Sequence, residues 1–456
     1  MKYINQEGKC MRKLERRAIM CLMLAAVLFL GIVVFAWRYV VNGKEWAGFY
    51  GNTQVFTNGI INRGTVYDRN GVMLINCTED GIEYPEDSVL REATLHVVGD
   101  PEGNISSGAI NMFAGDLVGY DILNGTYDET SEGKSIELTI DALANETAYN
   151  SLSNYSAGCL GIFNYETGEI MCLVSTPSID PQYQSTTEVE DSVYFNNFIQ
   201  GQVTPGSTFK LVTTAAAIDT LDMSDFSFTC DGVNEFNGDD LTCIAVHGEE
   251  DFYGALANSC NGAFGQIARE VGGDTLTEYV DKLGLTTSVD IDGITTAQGS
   301  FYFPTDDELE LSWAGVGQGQ DLVNPCTMMV YMGAIANGGV AMNPTIIKSS
   351  NFLDQFTQGK TLGRYLDEDT ADEIKAMMKN NVEVSYGASN FEGLDMYAKT
   401  GTAEVGDDNK NSLFAGFIVD DEHPYAFYCW VEGGLGGVRT CSPIVRDTLN
   451  VLIANN

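Results

Sequence analysis

The sequence predicts a mixed α/β (α+β) fold, in which one sheet is assembled from distant parts of the chain and helices pack on it. Three observations predict it. Strand-like text occurs at 135–140 and 158–176, and three further apolar strand segments follow one another from residue 396. Between these two groups the apolar residues recur mainly at helical spacing. Strands at both ends with helices between them close most simply into a single sheet with helical cover.

The chain begins with a charge asymmetry. Its formal net charge is −40, yet seven of the 24 Lys and Arg and only two of the 64 Asp and Glu lie in the first 41 residues. So acidic a chain would be repelled by nucleic acid, which is excluded as a partner. Residues 18–37 form a run of 20 without a charge, long enough to cross a bilayer core as a helix. Six basic residues precede it, which predicts a cytoplasmic N-terminus and a single span. A cleaved signal peptide is the rival reading. Against it, the apolar run is long and no A-x-A-like site follows. The expected organisation is a cytoplasmic tail at 1–17, a transmembrane helix at 18–37, a small pedestal at 42–134 and a larger domain at 135–456.

Within the pedestal, residues 63–74 read as a hairpin with Asn70-Gly71 at its tip; the rest is turn-rich and carries no nameable chemistry. From residue 135 a strand leads into a helix, and 158–178 read as a hairpin turning at Glu166-Thr167-Gly168. A loop then reaches Pro205-Gly206. Beyond it Phe209, Val212, Ala216 and Ile218 mark a helix with Ser207 at its N-terminus. Residues 251–272 read as one helix with Ser259-Cys260-Asn261 in its middle. Residues 311–320 read as a Gly-rich loop, and 324–339 as a buried helix ending at Asn337-Gly338-Gly339. A helix at 371–383, strands at 396–404, 412–420 and 425–434, and a closing helix from 442 complete the chain.

Chemistry gathers around Ser207. Lys210 lies one helical turn on, so it shares a face with Ser207. A serine hydroxyl is a weak nucleophile until a base takes its proton, and a neutral lysine amine can do so. The free N–H groups of the first turn add positive potential where an oxyanion would form. An N-cap serine followed by a surface lysine is the bland alternative, and Ser131-Glu132-Gly133-Lys134 matches the same S-x-x-K pattern. Ser259-Cys260-Asn261 gives an S-x-N pattern, which Ser349-Ser350-Asn351 also matches. Lys399-Thr400-Gly401-Thr402 follows on a predicted strand. Alone each pattern is weak. Together, in this order behind a membrane anchor, they are a strong signal.

On these motifs the sequence resembles the penicillin-interacting serine enzymes, and most closely the class B penicillin-binding proteins. The stretch Arg63-Gly64-Thr65-Val66-Tyr67-Asp68-Arg69-Asn70-Gly71 is similar to an element of their N-terminal module. Thr139-Ile140-Asp141, Gly317-Gln318-Gly319 and Ala336-Asn337-Gly338-Gly339 match as well. Two departures stand out. The pedestal is short for the larger members, and the approach to Ser207 lacks the aromatic common there. The resemblance implies an antiparallel five-stranded sheet flanked by helices and a serine-type D-Ala-D-Ala transpeptidase. Ser207 would attack the penultimate D-Ala of a peptidoglycan stem peptide, Lys210 would act as base with Lys399 helping to keep it neutral, and Ser259 would relay a proton to the leaving D-Ala. Asn261 would hold the substrate amide and orient Lys210. Lys399, Thr400 and Thr402 would receive the terminal carboxylate, with Gly401 leaving room. The N–H groups of Ser207 and Thr402 would form the oxyanion hole. β-Lactams would acylate Ser207. A SEDS-family glycan polymerase would be the partner, and the catalytic domain would be extracytoplasmic on the cell membrane.

Other readings remain on the same motifs. A D,D-carboxypeptidase differs only in using water as acceptor. A β-lactamase normally has neither pedestal nor span, and needs a base for deacylation that is not identifiable here. A β-lactam sensor resembles a multi-span protein with an H-E-x-x-H protease, which three scattered histidines do not provide. A Ser-His-Asp hydrolase fails because Ser207 is not flanked as G-x-S-x-G.

Eleven cysteines follow no familiar metal-ligand spacing, and His96, His247 and His423 lie far apart in sequence. No metal site and no cofactor are therefore expected. Most cysteines read as small buried hydrophobes. Cys230 and Cys243, which bracket a turn-rich loop, are expected to form a disulfide.

Overall fold

The computed structural model describes residues 2–455 apart from 48–51, 53–54, 58–59, 79, 121–132, 187–189, 237–238, 349–358 and 406–408. Ser131-Glu132 and Ser349-Ser350-Asn351 lie outside the described residues.

The first element is a helix, Lys2–Ala47. Within its Met11–Val40 segment an 18-residue window has a mean hydropathy of 3.0 and is not buried against the rest of the chain, so the helix is long and apolar enough to cross a membrane. After it comes a four-stranded sheet in the order Gly81–Glu83, Met73–Thr78, Gly64–Tyr67, Ser135–Glu137. The hairpin predicted at 63–74 is its centre. Asp68 Oδ1 accepts from the N–H groups of Asn70 and Val72 at 2.9 and 2.7 Å and so fixes the turn. Ser135–Glu137 joins this sheet in parallel, although the sequence predicts it to open the following domain.

The sequence pattern does not reveal the next helix. Ser88–Val98 is N-capped by Asp87, which accepts from the Val89 N–H. It packs on the Ala142–Leu152 helix and on the Ile170–Thr176 strand. Arg91 on this helix pairs with Asp180 at 2.6 Å, both largely buried, and ties it to the loop that follows that strand. A bidentate, mostly desolvated pair like this one constrains orientation more than it adds stability.

The main sheet has five strands, all antiparallel, in the order Met396–Val405, Asn409–Ile418, Tyr425–Val431, Gly158–Asn164, Ile170–Thr176. The C-terminal strands thus pair onto the 158–164 strand, as the sequence predicts. Alternate residues feed two cores. On one face Leu160, Ile162, Phe414 and Phe427 pack with Ala148, Leu152 and Val445 from the Ala142–Leu152 and Gly437–Asn455 helices. On the other, Phe163, Leu413, Tyr428 and Trp430 pack with Phe209, Phe264 and Tyr331 from the middle of the chain. Ala398 belongs to the first face and Ala403 to the second, so Lys399 is aimed at the second, toward the Lys210–Thr220 helix.

Two local expectations are corrected. Residues 251–272 are two helices, Phe252–Ala257 and Asn261–Val271, not one. Ser259 in the break has φ of 56°, a left-handed conformation that no helix interior accepts, and Cys260 caps the second helix by accepting from the Ala263 N–H. Residues 311–320 are not all loop. Asp307 accepts from the N–H groups of Leu309 and Glu310, which starts a helix at Glu308–Gly315 and leaves 316–320 as the loop.

Candidate active site

The three motifs meet where the Met396–Val405 edge strand faces the start of the Lys210–Thr220 helix. Gly206–Thr208 forms a tight 3₁₀ turn carrying Ser207 into that helix. This turn demands glycine. Gly206 has φ of +50°, and a Cβ there would lie 2.9 Å from the Thr402 carbonyl. Its N–H donates to the Gly317 carbonyl at 2.9 Å, so the Gly317-Gln318-Gly319 loop braces the turn from the other side.

Lys210 is fully buried and its Nζ has four polar neighbours. Ser207 Oγ lies at 2.9 Å, Asn261 Oδ1 at 2.8 Å, and the Ser259 carbonyl and Oγ at 2.9 and 3.1 Å. The Asn261 amide is oriented by its own Nδ2, which donates to the Thr242 carbonyl at 2.7 Å, leaving Oδ1 as acceptor. Two of the four neighbours, Asn261 Oδ1 and the Ser259 carbonyl, can only accept. A neutral amine with two N–H bonds satisfies both and keeps its lone pair for the Ser207 hydroxyl. Burial lowers the Lys210 amine to about 7, opposed by the nearby Cys243 and Cys260 sulfurs.

Lys399 is also fully buried, and its Nζ lies 3.0 Å from Ser259 Oγ and 3.0 Å from the Thr400 carbonyl. Burial first, and then the neighbouring Lys210, hold it well below the usual lysine range. The resemblance implies that Lys399 helps to keep Lys210 neutral by like-charge repulsion. Burial is instead the main cause at both lysines, with repulsion second at Lys399. Ser259 Oγ sits between the two amines, so a continuous polar chain runs from Ser207 through Lys210 and Ser259 to Lys399.

These residues open onto a cleft of about 580 Å³, lined by Ser207, Ser259, Asn261, Thr400 and Thr402. All eight sequence-predicted site residues are therefore at one locality. Gly401 has a packing role on the sheet side of the cleft. A Cβ there would meet Leu413 at 3.0 Å and the Pro205 carbonyl at 3.2 Å, so its small size lets the Ser207 turn pack on the strand. Sequence reasoning missed Tyr386, whose hydroxyl accepts from the Thr400 N–H at 3.1 Å and lies 3.2 Å from its Oγ1. It also missed Trp313, Glu310, Glu404 and Lys410 on the cleft walls. Their signal was absent because they sit outside the motifs.

The cysteine expectations are corrected at the back of this site. Cys230 and Cys243 are free thiols. With His247 and Cys260 they form a group whose ligand-type atoms all lie within 4.8 Å of one another. Residues remote in sequence are brought together by two nested antiparallel strand pairs, which is why their spacing carries no familiar metal signature.

The family described as the penicillin binding protein transpeptidase domain matches residues 158–450. Stage V sporulation protein D of Bacillus subtilis is 29% identical over 71% of this chain and 54% of its own length. Peptidoglycan D,D-transpeptidase PbpA of Mycolicibacterium smegmatis is 26% identical over 70% of this chain and 72% of its own. The chain thus spans between about half and three-quarters of these relatives. Among solved structures, a ceftriaxone acyl-enzyme complex of penicillin-binding protein A from M. tuberculosis aligns with a TM-score of 0.74 at 22% identity, covering 86% of this chain and 98% of that one. The D,D-transpeptidase domain of a peptidoglycan glycosyltransferase from Eggerthella lenta aligns at 0.71 and 24%, covering 85% and 98%.

Proposed function

The chain belongs to the penicillin-binding protein transpeptidase family, as a class B member, and on that premise we propose that it is a peptidoglycan D,D-transpeptidase. The observation that carries the proposal is the placing of Lys210 Nζ within hydrogen-bond reach of both Ser207 Oγ and Ser259 Oγ.

The neutral Lys210 amine takes the Ser207 proton as Oγ bonds to the carbonyl carbon of the penultimate D-Ala. The tetrahedral oxygen accepts from the N–H groups of Ser207 and Thr402. The proton passes by way of Ser259 to the leaving nitrogen, the C–N bond breaks, and D-Ala departs. An amine from a neighbouring stem peptide then attacks the ester carbonyl and gives a proton to Lys210, which passes it to Ser207 Oγ as the ester C–O bond breaks, leaving a new amide cross-link and free Ser207. The substrate carboxylate approaches Lys399, Thr400 and Thr402. Its negative charge restores the proton on Lys399, which burial and Lys210 otherwise disfavour. A β-lactam follows the first half of this path and leaves Ser207 acylated.

The same reading gives the chain its place. Residues 18–37 anchor it in the cell membrane by a single pass, with 1–17 in the cytoplasm, 42–134 as pedestal and 135–456 as the extracytoplasmic catalytic domain. A SEDS-family polymerase, bound through span and pedestal, supplies the glycan strands. The test is intact mass of the full chain in detergent with excess benzylpenicillin, beside Ser207→Ala. A stable adduct of one drug mass, absent from the variant, is expected. Amine incorporation into a D-Ala-D-Ala donor then separates transpeptidation from hydrolysis. Rapid drug turnover without an adduct would overturn the proposal.

A further inference from the structure

We propose that Cys230, Cys243, His247 and Cys260 form a tetrahedral zinc site that pins the Ser259-Cys260-Asn261 turn from behind. The donor set is three sulfurs and one imidazole, a recurring structural zinc set, at the spacing C-x12-C-x3-H-x12-C. Four protein ligands leave no open position. The metal therefore holds structure and takes no part in bond making.

The geometry fits that ion. Zinc–sulfur bonds of about 2.3 Å at tetrahedral angles put ligand sulfurs about 3.8 Å apart. Cys243 and Cys260 sulfurs lie 3.8 Å apart. The surroundings fit anionic sulfur as well. Cys243 Sγ accepts from the N–H groups of Asn261 and Gly262 at 3.1 and 3.3 Å, and Cys260 Sγ from that of Ala263 at 3.5 Å. These are the otherwise unpaired donors of the first turn of the Asn261–Val271 helix. His247 points the same way. Its Nδ1 is buried without a hydrogen-bond partner among the described residues, an orphan that a metal-bound imidazole explains.

The segment that supplies three of the ligands also needs a staple. It consists of two two-stranded sheets, Phe228–Cys230 with Gly248–Glu250 and Val233–Phe236 with Asp239–Thr242. Two-stranded sheets are marginal alone. Between Cys243 and His247 the apolar side chains face solvent, Ile244 being 88% and Val246 69% exposed, so they add no core. A disulfide could pair two of the three sulfurs and would leave the third thiol and the histidine unused. Zinc uses all four, and the three thiols release their protons to solvent as it binds.

The consequence for the active site is positional. Cys260 stands between Ser259 and Asn261, and Cys243 follows Thr242, whose carbonyl orients the Asn261 amide. Two ligands of one ion thus fix both sides of the clamp on Lys210.

The full chain, without a histidine tag and in detergent, should carry about one zinc by elemental mass spectrometry. Cys230→Ser should lose it, and Cys21→Ser, an exposed position on the N-terminal helix, should keep it. Cobalt reconstitution should give thiolate charge-transfer and tetrahedral d–d absorption, and this spectrum of the parent chain decides the matter if Cys230→Ser does not fold. Chelation should slow penicillin acylation on the order of tenfold. Ser207→Ala should bind zinc normally without acylation, which separates this site from the catalytic reading. Background metal with no cobalt spectrum, or a disulfide between any two of the three cysteines in the purified parent chain, would overturn the proposal.

Discussion

The two walls of the cleft are built on opposite principles. One is the Met396–Val405 strand, backed by four more strands and by apolar cores on both faces of the sheet. Its position follows from burial: Phe414, Leu413 and Phe427 are fully excluded from water just behind it. The other wall is formed by Thr242, Cys243 and Ile244 beside the Ser259 turn. Thr242 and Ile244 are exposed and Cys243 is half-buried, and these three residues are ordered by polar and sulfur contacts to a helix start. The comparison teaches that a reactive groove can join a wall held by non-directional packing to one held by a few directional bonds. The first should respond to loss of volume, the second to loss of single polar groups.

The comparison can be tested from its junction outward. Ser207→Ala removes the nucleophile that both walls serve, and acylation by benzylpenicillin should fall on the order of 10⁴-fold or more with the melting temperature nearly unchanged. Lys210→Ala, which cuts the link between walls, should cost about 10² to 10⁴-fold in acylation rate. In the parent chain the rate should rise with pH through about 7, because burial depresses the Lys210 amine to that value and only its neutral form is the base. A profile flat between pH 6 and 8 would argue against Lys210 as base. On the packed wall, Phe414→Ala should cost about 3–5 kcal/mol of stability in a denaturant titration. On the directional wall, Ile244→Ser removes a large but exposed side chain and should change stability by less than about 0.5 kcal/mol. If those last two effects came out equal, the contrast between the walls would be wrong.

Much of the packed wall was legible in the sequence. The strands at 158–176 and from 396 are short apolar runs bounded by turn residues, and such runs announce a buried sheet directly. Ser207, Lys210 and Lys399 were legible because each sits in a motif whose local geometry follows from helix or strand period. The directional wall was not. A cysteine is an unusual helix cap, so the break at Ser259 was hidden inside apparent helical periodicity, and the meeting of Cys230, Cys243, His247 and Cys260 depends on hairpin pairing. The Ser88–Val98 helix escaped for a different reason. Its buried side includes Arg91, Thr94 and His96, which blur the apolar stripe that reveals a helix. Tyr386 reaches Thr400 only through the folded chain, from the end of a π-helical segment, Val382–Tyr386, that no short pattern marks.

The left-handed backbone of Ser259 has a further consequence, for how this chain can change over generations. Glycine is the residue that conformation favours, and relief of such strain is commonly of order 1 kcal/mol or more. Ser259→Gly should therefore yield a sturdier protein that has lost the hydroxyl between Lys210 and Lys399. Selection for robustness and selection for turnover pull this single position in opposite directions. A survey of random variants enriched for heat resistance alone should accumulate glycine there, and the same library enriched for drug acylation should discard it.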